Sequence, residues 1–341
     1  MKYTIFLVAI LLLAEWKLSA QVRCVIRGEL PGLQTDEVQL VTATVDYRYH
    51  GKRVPVKDHR FEYILELPQV EGYKLIFVTR DPRVWYTVQF MAEDAILDIR
   101  VNVDKSYTIA GGTLNDDYQK YLEIQKTKQR DERYMLMYSY FTDHIDELYY
   151  FLIIEELQKR QIYDVPIDNQ IVGAYTTLAA RFPQHSYTVL GKTLIDGFNT
   201  IRPGGQYIEF EAPDLKGNMV NISDVIRGKV AVIDLWASWC HPCRLKAKAM
   251  IPMYEKYKDK GFVVVGVARE FKNTKKLELA IEKDGYPWLQ LLELDDSRQI
   301  WTRYMLGTAG GGVFLIDRDG TIIAVNPNPE EMELKLKELL D

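Results

Sequence analysis

The first third of the chain alternates apolar and polar residues with the two-residue period of β-strands. Short runs of this kind are separated by Asp, Gly and Pro, which is typical of an antiparallel sheet or a small sandwich. The runs cover residues 38–45, 61–67, 73–78, 85–90 and 96–103. We therefore predict a β-rich domain over residues 21–112.

The next segment, residues 113–204, has the longer spacing of amphipathic helices. Asn115 is placed to cap the first helix, and further helices are predicted over residues 143–161, 169–182 and 186–195. The segment is rich in tyrosine. We assign these rings to helix packing, and a ligand platform is the alternative. The segment is predicted to be a helical connector.

Strand and helix patterns alternate after Arg202-Pro203-Gly204-Gly205. An Asp-Gly pair at residues 319 and 320 indicates a hairpin, and Asn328 is placed to cap the last helix. This order predicts an α/β domain over residues 205–341, with helices on both faces of its sheet. The predicted strands are 230–236, 261–268, 313–317 and 321–325, and the helices between them are 242–258 and 273–284.

The first twenty residues have the pattern of an export signal. Lys2 precedes an unbroken apolar run of ten residues, 5–14. Such a run is shorter than the roughly 18 residues that a membrane span needs. Leu18-Ser19-Ala20 supplies the small residues that precede cleavage. We expect residues 1–20 to be a signal peptide, with no membrane span after its removal. The protein is then exported to the periplasm or cell envelope.

Composition and charge exclude several classes of protein. The chain has 341 residues, and Lys plus Arg number 43 against 48 for Asp plus Glu, which gives a net charge of −5. A length of this kind suggests about two to three domains. An acidic balance gives no attraction to phosphate backbones, so we expect no nucleic-acid partner. Three cysteines are too few for a disulfide scaffold.

Two of the cysteines, Cys240 and Cys243, stand at a predicted strand-to-helix junction. One helical turn separates them, which is close enough for a disulfide. The helix N-terminus favours a thiolate over a thiol, and His241 adds positive charge. Pro242 fits the first helical turn, where its missing N–H costs nothing. We interpret Cys240 as the exposed attacking sulfur, Cys243 as the resolving one, and Trp239 as part of the thiolate environment.

Other interpretations of the pair are weak. A zinc site needs about four ligands, and no second Cys pair is present. Haem attachment needs a His after the second Cys, where this chain has Arg244. A purely structural disulfide is rare at such a junction. Cys24 is interpreted as a small strand residue, and we expect no cofactor besides the redox-active disulfide.

The quoted residues resemble the thioredoxin-like superfamily, in its exported TlpA and ResA branch. The likeness covers about residues 206–341, including Glu211-Ala212-Pro213-Asp214-Leu215 and the Trp-Cys-X-X-Cys motif. Ile109-Ala110-Gly111-Gly112 and the β-rich stretch before it resemble, more loosely, the DUF4369 domain of Bacteroidetes exported proteins. The resemblance implies a thioredoxin-like fold at the C-terminus, after a β-rich domain and a helical connector.

The resemblance also implies roles for individual residues. Asp234 matches the buried acid that handles the proton of the second cysteine. The helix-kinking proline is replaced by Lys248, and Pro252 follows about one turn later. The loop that carries a cis-proline in thioredoxins is here glycine-rich, and Gly311 stands at the proline position. We assign the substrate loop to Gly310, Gly311 and Gly312.

Two further positions follow the predicted strands. Arg269 and Glu270 come at the end of the second strand of this domain. We interpret them as a solvated ion pair in a loop, with Glu270 as a second proton carrier in the alternative. Trp288 is assigned to the core.

The expected activity is thiol-disulfide exchange between the Cys240–Cys243 pair and cysteines of protein substrates. The resemblance favours a reductase, for which a membrane electron donor is a possible partner. One alternative is a thiol peroxidase, with antioxidant activity. However, a peroxidatic centre needs Thr three residues before its Cys, and this chain has Ala237 there. The other alternative is a non-enzymatic envelope binding protein whose redox pair is regulatory.

Overall fold

A computed structural model describes residues 22–44, 51–78, 85–140, 145–163, 165–307 and 310–341. The predicted signal peptide therefore lies outside the described residues. Among these residues, no helix is long and apolar enough to cross a membrane. Internal contacts divide the chain into two units. One comprises the described parts of Met1–Ala43 and Lys52–Lys126, and the other those of Thr44–Gly51 and Thr127–Asp341.

The first unit contains two four-stranded sheets, with strand orders β4-β1-β7-β8 and β3-β2-β5-β6. Alternate side chains from both sheets form one apolar core, which includes Leu75, Phe90 and Leu97. The β-rich prediction is confirmed, although β1 and β7 pair in parallel. The strands are β1 (Val22–Glu29), β2 (Glu37–Thr42), β3 (Lys52–Pro55), β4 (Arg60–Leu67), β5 (Glu71–Val78), β6 (Trp85–Ala92), β7 (Ile96–Val101) and β8 (Tyr107–Ala110).

A helix, α1 (Thr113–Lys126), completes this unit. Asn115 does not cap it, so that prediction is wrong. The Asn115 side chain instead binds the backbone N–H and C=O of Met91 in β6. The Glu93 carboxylate accepts from the backbone N–H groups of Leu114 and Asn115, and thus takes the capping role. The domain boundary predicted between residues 112 and 113 stays a prediction.

The second unit begins with α2 (Arg130–Tyr140), α3 (Glu147–Tyr163), α4 (Asn169–Arg181) and α5 (Ser186–Thr200). The rings of Tyr150 and Tyr187 are buried where these helices meet. The Tyr150 ring contacts those of Phe182 and Tyr187, with centroids 6.1 Å and 5.6 Å away. These rings therefore pack the helices together, as the sequence predicted.

A five-stranded sheet with the order β13-β12-β11-β14-β15 forms the centre of the C-terminal domain. β11, β12 and β13 are parallel, and β14 and β15 complete the sheet in antiparallel pairs. β9 and β10 form a separate two-stranded sheet. The strands are β9 (Glu211–Pro213), β10 (Met219–Asn221), β11 (Val230–Trp236), β12 (Phe262–Glu270), β13 (Leu289–Leu294), β14 (Gly312–Ile316) and β15 (Ile322–Val325).

Helices pack on both sides of the five-stranded sheet, where two apolar clusters lie. The predicted α/β thioredoxin-like fold is confirmed. Pro252 lies inside α7 without ending it, and Asn328 caps the last helix by accepting from the Glu331 N–H. Trp288 is buried, as predicted. The helices are α6 (Ile222–Ile226), α7 (His241–Tyr257), α8 (Lys275–Asp284), α9 (Ile300–Arg303) and α10 (Pro329–Leu340).

The two faces of β11 explain where its polar residue lies. Every residue of β11 is buried, and alternate side chains point to opposite faces of the sheet. Val230, Val232 and Trp236 belong to the cluster that includes residues of α7. Asp234 lies between Val232 and Trp236 in this alternation, so its carboxyl is on the same face, under the helix that begins with the cysteine motif.

Candidate active site

Cys240 and Cys243 form a disulfide at the start of α7, with their Cα atoms 5.4 Å apart. Cys240 is 8% exposed and Cys243 is 9% exposed. The prediction that Cys240 is the exposed sulfur is therefore wrong for the disulfide form. The physical reason is the approach of the glycine loop, because a Cβ built on Gly310 would lie only 2.5 Å from Cys240 Sγ.

The helix start provides an electrostatic difference between the two sulfurs. Cys240 is the N-cap residue, and the backbone N–H of Cys243 donates to its Sγ at 3.3 Å. Such a donor at a helix N-terminus stabilises negative charge on the capping atom. Pro242 occupies the first turn, and His241 is exposed. The arrangement thus favours a thiolate on Cys240 once the disulfide is reduced.

Asp234 lies beneath the cysteine motif and is 1% exposed. Burial raises the pKa of its carboxyl from 3.8 to about 7, and the nearby Lys246 ammonium opposes this effect. Its Oδ2 atom has no hydrogen-bond partner among the described residues. A carboxyl with a pKa of about 7 is partly protonated and partly ionised near neutral pH, so it can both accept and release a proton.

A cavity of about 220 Å³ is lined by residues that include Asp234 and both cysteines. Lys246 and the three loop glycines are also among the residues that line it. The structure therefore brings together the acid, the sulfurs and the substrate loop that were assigned from the sequence.

The glycine loop fits closely against the disulfide. A Cβ built on Gly311 would lie 2.0 Å from the backbone oxygen of Leu235 and 3.1 Å from Cys243 Sγ. Proline carries a Cβ, so the backbone seen here leaves no room for it at this position. Gly312 begins β14. The absence of side chains at these positions lets the loop backbone approach the sulfurs.

Trp239, directly before Cys240 in the chain, is an exposed apolar residue. Its side chain is 38% exposed, and its ring centroid lies 6.5 Å from that of Phe271, in the segment after β12. Leu245, in the first turns of α7, is also an exposed apolar residue. An exposed tryptophan beside a reactive sulfur offers a contact for a protein substrate.

Arg269 and Glu270 are not a solvated ion pair, so the prediction made for them is wrong. Both are buried at the end of β12. Arg269 pairs with Asp296, and the Glu270 carboxylate accepts from the Ser238 backbone N–H at 2.7 Å. Burial raises the pKa of Glu270, and the bond from Ser238 opposes this. Alternation along the strand separates the two side chains.

Sequence reasoning also missed the residue that donates to the Ser238 carbonyl and the two residues that position it. The Arg244 guanidinium donates to the Ser238 carbonyl at 3.4 Å and to Asp284 Oδ2 at 2.6 Å. Tyr286 donates to the same carboxylate at 2.9 Å. The only signal in the sequence was the basic residue directly after the second cysteine, which we used merely to exclude haem attachment.

Comparisons with known proteins agree with this geometry. Residues 203–325 match the AhpC/TSA family. The thiol-disulfide oxidoreductase ResA of Bacillus cereus (strain ZK / E33L) is 27% identical over 140 residues, which are 39% of this chain and 77% of ResA. ResA of Bacillus subtilis (strain 168) is 26% identical over 141 residues, which are 41% of this chain and 74% of ResA. The C-terminal domain is a thioredoxin-like thiol-disulfide oxidoreductase domain.

Two solved structures are similar to this oxidoreductase domain. One is the thioredoxin domain of a Bacteroides vulgatus thiol-disulfide oxidoreductase, which is 27% identical with a TM-score of 0.38 and covers 42% of this chain and 100% of that chain. The other is a DsbE thiol:disulfide interchange protein of Chlorobium tepidum, which is 28% identical with a TM-score of 0.36 and covers 42% of this chain and 100% of that chain.

Within the described ranges, no group of three or more His, Cys, Asp or Glu side chains is placed to hold a metal ion. The remaining cysteine, Cys24, is buried in β1 of the other unit, where burial raises the pKa of its thiol to about 12. The interpretation of Cys24 as a small strand residue is confirmed.

Proposed function

We propose that the protein is an exported thiol-disulfide oxidoreductase that exchanges its Cys240–Cys243 pair with cysteines of protein substrates, and that it works as a reductase. One observation carries the proposal. Cys240 caps the N-terminus of α7, and both cysteines line a cavity together with Asp234, whose buried carboxyl has a pKa of about 7. A structural disulfide has no need of a proton acceptor beneath it.

The reaction begins from the reduced pair. The Cys240 thiolate attacks one sulfur of a substrate disulfide, and the other substrate sulfur leaves as a thiolate. The Cys243 thiol then gives its proton to Asp234 and attacks Cys240 Sγ. This step forms the Cys240–Cys243 disulfide and releases the second substrate thiolate. The substrate gains two electrons, and a dithiol donor at the membrane returns two electrons to the protein.

The leader-like segment at residues 1–20 supports export, since its apolar run of ten residues is followed by small residues. An oxidising compartment supplies disulfides for a reductase to act on. The ResA relatives are named thiol-disulfide oxidoreductases, which supports the reaction class. His241, Pro242 and Trp239 are the neighbours that we propose to tune the thiolate, and Gly310 to Gly312 form the substrate loop.

Trapping of mixed disulfides tests the proposal. Cys243→Ala leaves Cys240 able to attack and removes the resolving sulfur, so disulfide-linked partners should accumulate in envelope extract. Cys240→Ala is the matched control, because it keeps one cysteine of the pair and removes the attacking one. Partners captured by the control and not by Cys243→Ala would contradict the assignment of roles. Failure of the wild-type protein to turn over any protein disulfide would contradict the function.

A thiol peroxidase is the second candidate, because the matching family is described as AhpC/TSA. In that case the Cys240 thiolate attacks peroxide, and Cys243 resolves the resulting sulfenic acid. Ala237, three residues before Cys240, speaks against a peroxidatic centre. Consumption of hydrogen peroxide by the reduced protein, measured beside its reduction of a protein disulfide, decides between the two. Absence of both activities would instead support a regulatory redox pair.

A further inference from the structure

The carboxyl end of β12 places two oppositely charged side chains inside the protein, next to the active site. Arg269 and Glu270 are each 3% exposed. Because they are neighbours in a strand, their side chains lie on opposite faces of the sheet. Charges of this kind are costly to bury unless they are paired or hydrogen-bonded. The hydrogen-bond partners of Arg269 and Glu270 therefore indicate which neighbouring segments this end of β12 positions.

Glu270 holds the turn that carries the attacking cysteine. Its carboxylate accepts from the backbone N–H of Ser238, two residues before Cys240. The same turn is closed by the Cys240 N–H, which donates to the Ala237 carbonyl at 3.0 Å. Arg244 contacts the Ser238 carbonyl from the opposite side. The two peptide groups that flank Ser238 are thus both held, one through its N–H by Glu270 and the other through its C=O by Arg244.

Arg269 holds the start of the substrate loop. Its Nε donates to Asp296 Oδ1 at 2.6 Å, and a second nitrogen of the same guanidinium reaches Asp296 Oδ2. The third nitrogen donates to the Gly307 carbonyl at 3.2 Å. Gly307 precedes Gly310 by three residues. The length of the chain between them therefore keeps Gly310 within about 11 Å of the anchored Gly307. Gly310 is the residue packed against Cys240 Sγ.

We propose that Arg269 and Glu270 are positioning residues that fix the two walls of the active-site cleft relative to β12. One wall is the turn that carries Cys240, and the other, the glycine wall, is the loop of Gly310, Gly311 and Gly312. Glu270 fixes the wall that carries Cys240, and Arg269 fixes the glycine wall through Gly307. A glycine-rich loop loses much conformational freedom when it is ordered, so an anchor at its start lowers the cost of docking a substrate chain. This inference rests on the proposed function.

Two helices that precede the C-terminal domain, α3 and α5, lie against the residues around Gly307. Gly197 in α5 lies against the Met305 side chain, since a Cβ built there would be 2.5 Å from the Met305 sulfur. A Cβ built on Gly307 would lie 3.3 Å from Gln161 Oε1 in α3. The residues just before the glycine wall therefore contact both Arg269 and the helices. The helical connector supports the cleft in this arrangement.

The first test separates docking from sulfur chemistry. Arg269→Lys keeps the charge next to Asp296 but cannot supply three directed N–H donors. Rates of reduction are measured with the full-length protein for insulin, a protein disulfide, and for glutathione disulfide, a small one. We expect the ratio of the insulin rate to the glutathione disulfide rate to fall about tenfold, as for the loss of one charged hydrogen bond. Arg318→Lys, at an exposed turn, is the matched control and should leave the ratio unchanged.

The second test concerns Glu270 and also serves if Arg269→Lys does not fold. Glu270→Gln retains an oxygen that can accept from Ser238, whereas Glu270→Ala leaves that N–H unpaired. For a positioning residue, Glu270→Ala should slow the attack of Cys240 on both disulfides, and Glu270→Gln should restore most of the rate. If Glu270 were a proton carrier, Glu270→Gln would be as slow as Glu270→Ala, which would overturn its positioning role.

The outcomes separate this inference from the function on which it rests. If the wild-type protein reduces both disulfides and Arg269→Lys slows them equally, or slows neither, the anchoring role of Arg269 is wrong while the function stands. If the wild-type protein reduces neither disulfide, the proposed function fails and the inference fails with it. Thermal unfolding of each variant, followed by circular dichroism, confirms that folded protein is compared.

Discussion

Replacement of Asp234 by Asn should make the stability of the protein less dependent on pH. The side chains have nearly the same shape, but only the acid titrates. Burial raises the pKa of Asp234 from 3.8 to about 7. That difference corresponds to about 4 kcal/mol, at about 1.36 kcal/mol for each pKa unit. The buried carboxyl therefore destabilises the folded protein by up to about 4 kcal/mol when it is ionised.

The sign follows from proton binding. Between pH 3.8 and about 7, folded Asp234 retains its proton while the unfolded chain has lost it. The folded state binds more protons in this window, so the free energy of unfolding falls as pH rises. Above about pH 7 both states are ionised, and the full cost remains. Asn adds an offset that does not change with pH, because its amide does not titrate.

The measurement is urea unfolding of the oxidised wild-type and Asp234→Asn proteins from pH 4 to pH 9. We expect the stability of the variant relative to wild type to rise by up to about 4 kcal/mol between about pH 4 and pH 8. Other groups titrate in both proteins and cancel in the difference. A difference that is flat across this range would refute the raised pKa, and a decline with pH would show that the carboxylate is stabilised instead.

Further predictions concern the sulfurs and their surroundings. Asp234→Asn should leave the attack of Cys240 unchanged and slow resolution by Cys243 near pH 7 in stopped-flow measurements, because the proton acceptor is gone; unchanged resolution would contradict its role. In the reduced protein, iodoacetamide should label Cys240 far faster than Cys243, and the Cys240 thiol should be half-ionised below about pH 8.5. Equal labelling of the two cysteines would contradict the assignment of Cys240 as the attacking sulfur. The redox potential should lie between about −270 and about −120 mV, and His241→Ala should lower it; a wild-type value below this range would show that His241 does not stabilise the thiolate. Gly310→Ala should destabilise the oxidised form by about 1–3 kcal/mol in thermal unfolding, because its Cβ meets the Cys240 sulfur, and a wild-type melting temperature would show that the loop moves aside freely.

Most of the fold could be predicted where burial and sequence pattern agree. β11 has apolar residues at six of its seven positions and was predicted with its observed bounds, Val230–Trp236. β13, Leu289–Leu294, was missed because Gln290 and Glu293 interrupt its apolar residues. Both polar side chains are buried. Glu293 accepts from the backbone N–H groups of Arg298 and Ile300, so its partners lie later in the chain.

The same reason explains the errors at individual sites. Asn115 looks like a helix cap, but the cap is supplied by Glu93, more than twenty residues earlier. Arg269 and Glu270 look like an ion pair because they are adjacent. Their actual partners, Asp296 and Ser238, are 27 and 32 residues away in sequence. Local pattern identifies the cysteine motif, but only the folded chain selects the partner of a buried polar group.

The two buried carboxyls beneath the active site differ in what satisfies them, and this difference assigns their roles. Glu270 accepts a short hydrogen bond from a backbone N–H, which fixes its position and opposes the effect of burial on its pKa. Asp234 has a buried oxygen without a hydrogen-bond partner among the described residues, and Asp234 lines the same cavity as both cysteines. An acid whose environment pushes its pKa toward neutrality can exchange a proton during turnover, whereas an acid tied to the backbone holds geometry. We therefore expect proton transfer to depend on Asp234 and alignment of Cys240 to depend on Glu270.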